Sequence, residues 1–99
     1  MTYQPSRVLE KALQARIIEA ARALHWRTYH VFDSRRSAPG WPDLAMVRGD
    51  RLIFAELKSA KGKVTVEQQE WLDALAKVPG VECFVWRPED VKSAIEILR

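Results

Sequence analysis

The sequence has almost no means of covalent cross-linking and no segment suited to a membrane. Its single cysteine, Cys83, cannot form a disulfide within the chain, which argues against the disulfide-rich class of small secreted domains. No apolar run is long enough to cross a bilayer, and residues 1–14 lack the apolar block of a signal peptide. We therefore expect a cytoplasmic protein in a reducing compartment, with no membrane partner.

Length and charge set further limits. The 99 residues are enough for one domain, 1–99, with a single hydrophobic core. The net charge of +3 at pH 7 is compatible with a polyanionic partner, but alone it is weak evidence. The central third of the chain carries a set of basic residues, namely Arg35, Arg36, Arg48, Arg51, Lys58, Lys61 and Lys63. By itself such a cluster favours a solvated loop surface.

Hydrophobic periodicity predicts the element order α-β-β-β-α-β-α. The predicted elements, in chain order, are 5–26, 27–32, 43–48, 51–58, 65–78, 82–87 and 88–99. The first helix has an apolar stripe of Leu9, Leu13, Ile17 and Leu24, and Thr65 is a candidate N-cap with a partial capping box. The strand over 51–58 is apolar on both faces, so it should lie centrally in the sheet. The fold class is α/β, a mixed sheet flanked by helices.

Two acids and a lysine stand in or beside this apolar strand, where charges are costly unless they are compensated. Glu56 and Lys58 share a face because alternate strand residues point the same way. A tight turn at Gly49 and Asp50 would pair residues whose numbers sum to about 99. Asp43 would then lie opposite a residue close to Glu56.

Facing carboxylates repel each other, and a divalent cation removes that conflict. Mg²⁺ binds a few carboxylates and keeps several waters, and a nearby lysine can orient water or stabilise phosphate charge. These parts suit metal-assisted phosphodiester hydrolysis. On spacing alone, a cross-strand salt bridge from Lys58 to Glu56 or Asp43 is the favoured explanation, because such patterns arise often by chance.

Several longer motifs extend this pattern. Pro42-Asp43 followed by Glu56-Leu57-Lys58 resembles the PD-(D/E)xK nuclease superfamily, and the chain as a whole resembles a stand-alone VRR-NUC (virus-type replication-repair nuclease) domain. The segments that carry the resemblance are LEKALQ, DSRRSAPGWPDL, FAELKSAKGKVTVEQQEWLDAL and VECFVWRPED. The resemblance implies a restriction-endonuclease-like α-β-β-β-α-β(-α) fold. It also implies a Mg²⁺- or Mn²⁺-dependent endonuclease that acts on DNA.

The resemblance also implies roles for individual residues. Asp43, Glu56 and the backbone carbonyl of Leu57 would hold the metal, and Lys58 would assist catalysis. A fourth acid should come from the first helix, and Glu10 is favoured over Glu19. Glu10 matches the family's Glu-x-x-x-Gln pattern and borders the apolar stripe.

Gln68 matches the glutamine of the family's Glu-Gln signature. It would position the lysine, the water or the phosphate, or else serve as a helix cap or surface amide. Gly40 would permit the turn that places Asp43, and Trp41 is expected to pack within its loop rather than act as a wedge against DNA. His25 stands at the end of the first helix, where relatives commonly carry glycine.

The expected partner is DNA, branched or four-way, as for the Holliday junction resolvases that small family members resemble. The residues expected to contact it are Gln14, Arg35, Arg36, Ser37, Lys61 and Lys63. Paired cuts in a two-fold symmetric junction imply a homodimer. The setting would be a bacterial or phage-infected cell. The alternatives are a nuclease for flaps, nicks or plain duplex, and a non-catalytic DNA-binding accessory protein of recombination.

Overall fold

The computed structural model describes the backbone of residues 5–32 and 36–99 and the side chains of residues 9–32 and 36–99. Its elements are α1 (Pro5–Ala23), β1 (Arg27–His30), β2 (Leu44–Arg48), β3 (Arg51–Leu57), α2 (Val66–Ala76), β4 (Val81–Trp86) and α3 (Val91–Leu98). A short 3₁₀ turn, Pro88–Asp90, precedes α3. The predicted element order is confirmed. Within the described residues, no helix has the length and apolar character needed to span a membrane.

The strands form one mixed sheet in the order β1-β2-β3-β4, which confirms the expected fold class. β1, β2 and β3 pair antiparallel, whereas β3 and β4 pair parallel through the α2 crossover. In the β2–β3 hairpin Leu44 lies opposite Ala55 and Arg48 opposite Arg51, so paired numbers sum to 99 as predicted. One step further along this register, Asp43 comes opposite Glu56.

Three of the predicted strands are shorter in the structure. β1 ends at His30 rather than at residue 32, β2 begins after Asp43, and β3 ends before Lys58. Asp43 and Lys58 therefore lie just beyond the ends of their strands. Glu56 lies within β3, where it pairs with Val85 of β4.

α1 and α3 cover one face of the sheet. The buried side chains there include Leu13, Ile17, Ile53 and Leu98. The prediction that Leu9 belongs to the apolar stripe is wrong, because its side chain is 52% exposed. Residues four apart on a helix differ in direction by roughly 40°. Leu9 is two such steps from the fully buried Ile17, so its side chain is rotated by roughly 80° from the buried direction.

The hairpin end of the sheet uses two arginines for structure. The Trp26 ring lies within reach of both the Arg48 guanidinium, at 4.6 Å, and the Arg51 guanidinium, at 5.1 Å. Arg48 and the Trp26 indole N–H each donate to the Leu98 carbonyl at 2.8 Å, which ties α3 to the sheet. Arg51 also forms a bidentate pair with Glu82. Both arginines thus lie at the opposite end of the strands from Asp43 and Glu56, so the central basic residues do not form one cluster.

The C-terminus of α1 ends in a Schellman motif built on a histidine. The Trp26 N–H donates to the Ala21 carbonyl at 2.9 Å, and the His25 N–H donates to the Arg22 carbonyl at 3.0 Å. His25 itself adopts φ 72°, the left-handed conformation that glycine accepts without steric cost. A residue other than glycine at this position therefore strains the cap.

Candidate active site

A cleft of about 520 Å³ opens beyond the ends of β2 and β3. It brings together residues that are far apart in sequence. The sequence-predicted residues that line it are Glu10, Gln14, Ser37, Asp43, Glu56, Leu57, Lys58 and Gln68. The cleft is mostly polar, in contrast to the apolar core that supports it.

Asp43 is held in place through both its backbone and its side chain. The Leu57 N–H donates to Asp43 Oδ2 at 2.8 Å, and the Val31 N–H donates to the Asp43 carbonyl at 3.2 Å. β2 begins after Asp43, so the Asp43 carboxylate, rather than a backbone carbonyl of β2, accepts the hydrogen bond from the Leu57 N–H. This bond fixes the carboxylate against β3. Gly40, at φ 85°, supplies the turn that leads the chain to this point, as predicted.

Glu56 is the most unusual group in the cleft. It is only 2% exposed, and its Oε1 accepts a hydrogen bond from Gln68 Nε2 at 3.1 Å. Its Oε2 is buried with no hydrogen-bond partner among the described residues. Burial raises the pKa of Glu56 to about 9, and the adjacent Asp43 carboxyl adds to this, while Lys58 partly opposes it. Without a cation, the protonated, neutral form of Glu56 is therefore favoured near pH 7.

Gln68 has two structural roles at once. Its Oε1 accepts from the Thr65 N–H at 2.9 Å and its own N–H donates to Thr65 Oγ1 at 3.1 Å, which completes the capping box of α2. Its amide nitrogen is thereby aimed at Glu56. The helix cap and the contact with a site residue, considered as alternatives from sequence, coexist.

The N-terminus of α2 rests closely on the loop before β2. A Cβ added to Gly40 would lie 2.4 Å from the carbonyl carbon of Glu67, so only glycine permits this approach. The Trp71 indole N–H donates to the Pro39 carbonyl at 3.0 Å, and Trp41 packs edge-on against Trp71 at 4.8 Å. Trp41 therefore packs within the protein, as expected.

The first helix brings Glu10 rather than Glu19 to the cleft. Glu10 Oε1 accepts from the Ser59 N–H at 3.4 Å, and the side chain lines the cleft. Glu19 is exposed and is not among the lining residues. This placement agrees with the preference for Glu10, while its role stays a prediction.

The segment that follows β3 is anchored by Arg87, a residue that sequence reasoning missed. Lys58 lines the cleft and its N–H donates to the Trp86 carbonyl at 3.0 Å. Arg87 Nη1 donates to the carbonyls of Ser59 at 2.7 Å and Gly62 at 2.6 Å. An arginine directly after β4 could have been noticed, because parallel strands end at the same edge of a sheet.

The residues expected to contact DNA divide into two groups. Gln14 and Ser37 line the cleft, whereas Lys61 and Lys63 line a separate shallow groove beside Arg87. Arg36 is exposed on the loop before the cleft, and Arg35 lies outside the described residues. Lys11, which sequence reasoning missed, also lines the cleft. It follows Glu10 and lies three residues before Gln14, a spacing that places two residues on one helix face.

A divalent cation fits this donor set as a partly hydrated ion. Within the described parts of the chain, no group of three His, Cys, Asp or Glu side chains could hold a metal by itself. Asp43 and Glu56 supply two carboxyl groups, and among the described residues nothing hydrogen-bonds to the buried Glu56 Oε2, a deficit that a cation would fill. Mg²⁺ commonly takes one or two carboxylates and retains several waters.

Of the comparisons with known proteins, one gives a family match. The family model of the VRR-NUC domain matches residues 2–88. This range contains all the residues that line the cleft. No curated protein and no solved structure gave a significant match.

Proposed function

The chain belongs to the VRR-NUC family of nucleases, and on this premise we propose that it is a metal-dependent endodeoxyribonuclease that acts on branched DNA. The observation that carries the proposal is the state of Glu56. A carboxyl group buried beside Asp43, with one oxygen that has no hydrogen-bond partner among the described residues and a pKa raised to about 9, is unfavourable for a purely structural residue.

Asp43 and Glu56, together with the backbone carbonyl of Leu57, would hold Mg²⁺ or Mn²⁺. When bound, such a cation would polarise the phosphodiester and offset the charge that develops on its oxygens. Gln68 keeps Glu56 Oε1 occupied at 3.1 Å, which leaves Oε2 available as a ligand. Glu56 would release its proton in becoming a ligand, because ligands bind metals in their deprotonated form.

Lys58 would act on the attacking water and on the phosphate. Its side chain shares the cleft with both carboxylates, and its backbone is fixed to β4 by the bond to the Trp86 carbonyl. An ammonium group there orients water for in-line attack on phosphorus and stabilises negative charge on the phosphate. Glu10 would help to place this lysine through its contact with the Ser59 N–H.

Branched DNA is proposed as the substrate because of symmetry and charge. The described part of each chain shows one cleft with a carboxylate pair. Resolution of a two-fold symmetric four-way junction needs two cuts, which a C2 homodimer would provide. Gln14, Ser37 and Arg36 near the cleft, and Lys61 and Lys63 beside it, would contact phosphates. Such contacts position the DNA without reading its sequence.

The test is cleavage of a synthetic four-way junction and of a plain duplex, each with Mg²⁺ and with EDTA. We expect Mg²⁺-dependent cutting of the junction. Asp43→Ala and Lys58→Ala should abolish cutting and retain DNA binding in a gel-shift assay. The control Asp50→Ala, an exposed acid in the turn at the far end of the sheet, should cut normally.

Each contrary outcome would reject a different part of the proposal. Equal cutting of junction and duplex would reject selectivity for branched DNA and leave the nuclease assignment intact. Cutting that persists in Asp43→Ala or in EDTA would reject the metal site. DNA binding by the wild type with no cleavage in either Mg²⁺ or Mn²⁺ would indicate a non-catalytic accessory protein.

A further inference from the structure

Phe32 is the most exposed large hydrophobic side chain in the described part of the protein, at 86%. It also lines the cleft that holds Asp43 and Glu56. Single exposed apolar residues are common on protein surfaces. Tyr29 and Val66 are examples here, but neither of them lines the cleft. Phe32 differs because its exposed ring stands beside the proposed site of chemistry.

The ring of Phe32 is available for a ligand in a way that the neighbouring aromatic rings are not. His30, Phe32 and Trp41 are the aromatic residues among the cleft lining. Trp41 is engaged edge-on with Phe54 at 5.5 Å as well as with Trp71. Phe32 meets His30 at a centroid distance of 4.2 Å, with the rings tilted by 50°. His30 thus supports one side of the Phe32 ring, and most of its surface stays open.

The position of Phe32 relative to the carboxylates is set by the backbone. Val31, the preceding residue, donates its N–H to the Asp43 carbonyl at 3.2 Å. The end of β1 is therefore tied to the residue that would hold the metal. Lys11 and Lys58 line the same cleft and supply positive charge for a phosphate backbone.

We infer that Phe32 is a stacking platform for an unpaired or unstacked nucleobase of DNA, next to the phosphate held in the cleft. This inference rests on the proposed function, since it assigns part of the substrate selectivity of that same site. A planar apolar ring beside lysines matches the stacking sites that proteins use for single-stranded nucleic acid. Bases in plain duplex are already stacked, whereas branch points and single strands offer free base faces.

The experiment measures binding in EDTA, so that affinity is read without cleavage. The probe is a four-way junction with 2-aminopurine at one base of the branch point, together with a single strand and a plain duplex. Phe32→Ala should lower affinity for the junction and the single strand about five- to a hundred-fold, the range of one base–aromatic stack. It should leave duplex affinity unchanged. The 2-aminopurine quenching seen on binding of the wild type should disappear.

Matched variants separate base stacking from the loss of apolar volume and from the loss of an aromatic side chain outside the cleft. Phe32→Trp keeps a stacking ring and should retain affinity and quenching, whereas Phe32→Leu keeps apolar volume and should behave like Phe32→Ala. Tyr29→Ala removes an exposed aromatic side chain of β1 that does not line the cleft, and it should match the wild type. Because Phe32 is so exposed, its variants should fold normally, which a thermal melt would check.

Three outcomes would overturn the inference. The first is equal junction affinity and quenching in Phe32→Ala and the wild type. The second is an equal loss of affinity for junction and duplex. The third is a change in sedimentation mass without a change in DNA affinity, which would make Phe32 a contact between copies of the chain. Cleavage in Mg²⁺ is scored separately, so the expected binding pattern without cleavage would support the stacking role and reject the nuclease.

Discussion

Replacement of Glu56 by glutamine should change how stability depends on pH in the metal-free protein. The side chains have nearly the same shape, so the bond from Gln68 to Oε1 can persist. The glutamine cannot ionise. The variant therefore isolates the cost of a buried carboxylate from the packing around it.

The magnitude follows from the pKa of Glu56 in the two states. Its pKa is about 9 in the folded protein and near the ordinary 4.5 in the unfolded chain. Between these pH values the folded state binds a proton that the unfolded state has lost. The free energy of unfolding of the wild type therefore falls as pH rises, by about 1.4 kcal/mol per pH unit. From pH 5.5 to 8.5 the loss is about 4 kcal/mol, a large share of the roughly 5–15 kcal/mol typical of a domain.

The assay is urea or thermal unfolding in EDTA across this pH range for the wild type, Glu56→Gln and the control Glu19→Gln. Glu19 is an exposed acid of α1 outside the cleft. The stability of Glu56→Gln relative to wild type should increase by about 4 kcal/mol towards pH 8.5, or about 15 °C or more in Tm. The control should follow the wild type. Parallel profiles for Glu56→Gln and the wild type would refute the reasoning.

Three other predictions test the helix cap at His25 and two contacts that support the site. His25→Gly should raise the free energy of unfolding by about 0.5–1 kcal/mol, because it relieves the left-handed strain in the α1 cap, measured by urea unfolding. Gly40→Ala should cost at least about 2 kcal/mol and lower activity by displacing α2, whereas Gly49→Ala, with open space around its Cβ, should cost only about 1 kcal/mol. Arg87→Ala should speed amide hydrogen exchange in residues 58–62, since their carbonyl anchor is lost, and unchanged exchange would contradict this.

Features that depend on residues close together in the chain were predicted correctly from the sequence. The turn at Gly49 and Asp50 sets the register of β2 and β3, so the approach of Asp43 to Glu56 followed from arithmetic along the chain. The capping box of Thr65 and Gln68 joins residues only three positions apart and was visible for the same reason. The spacing of these residues along the chain carries the information.

Long-range contacts account for what sequence reasoning missed. Arg48 and Arg51 looked like part of a basic surface, but they bind Trp26 and carbonyls of the last residues, which lie tens of positions away in sequence. Lys11 and Phe32 join the cleft only because α1 and the end of β1 are folded against Asp43 and Ser59. Helical spacing relates Lys11 to Gln14, but no period or motif within the chain encodes the approach of α1 or of the end of β1 to the cleft.

The most direct test of the account is anomalous diffraction from crystals of the protein soaked in Mn²⁺. We propose that Asp43 and Glu56 bind a divalent cation, so an anomalous peak should appear between their carboxylates in the wild type and vanish in Asp43→Ala. A wild-type crystal with Mn²⁺ at other sites and none between these two side chains would contradict the account.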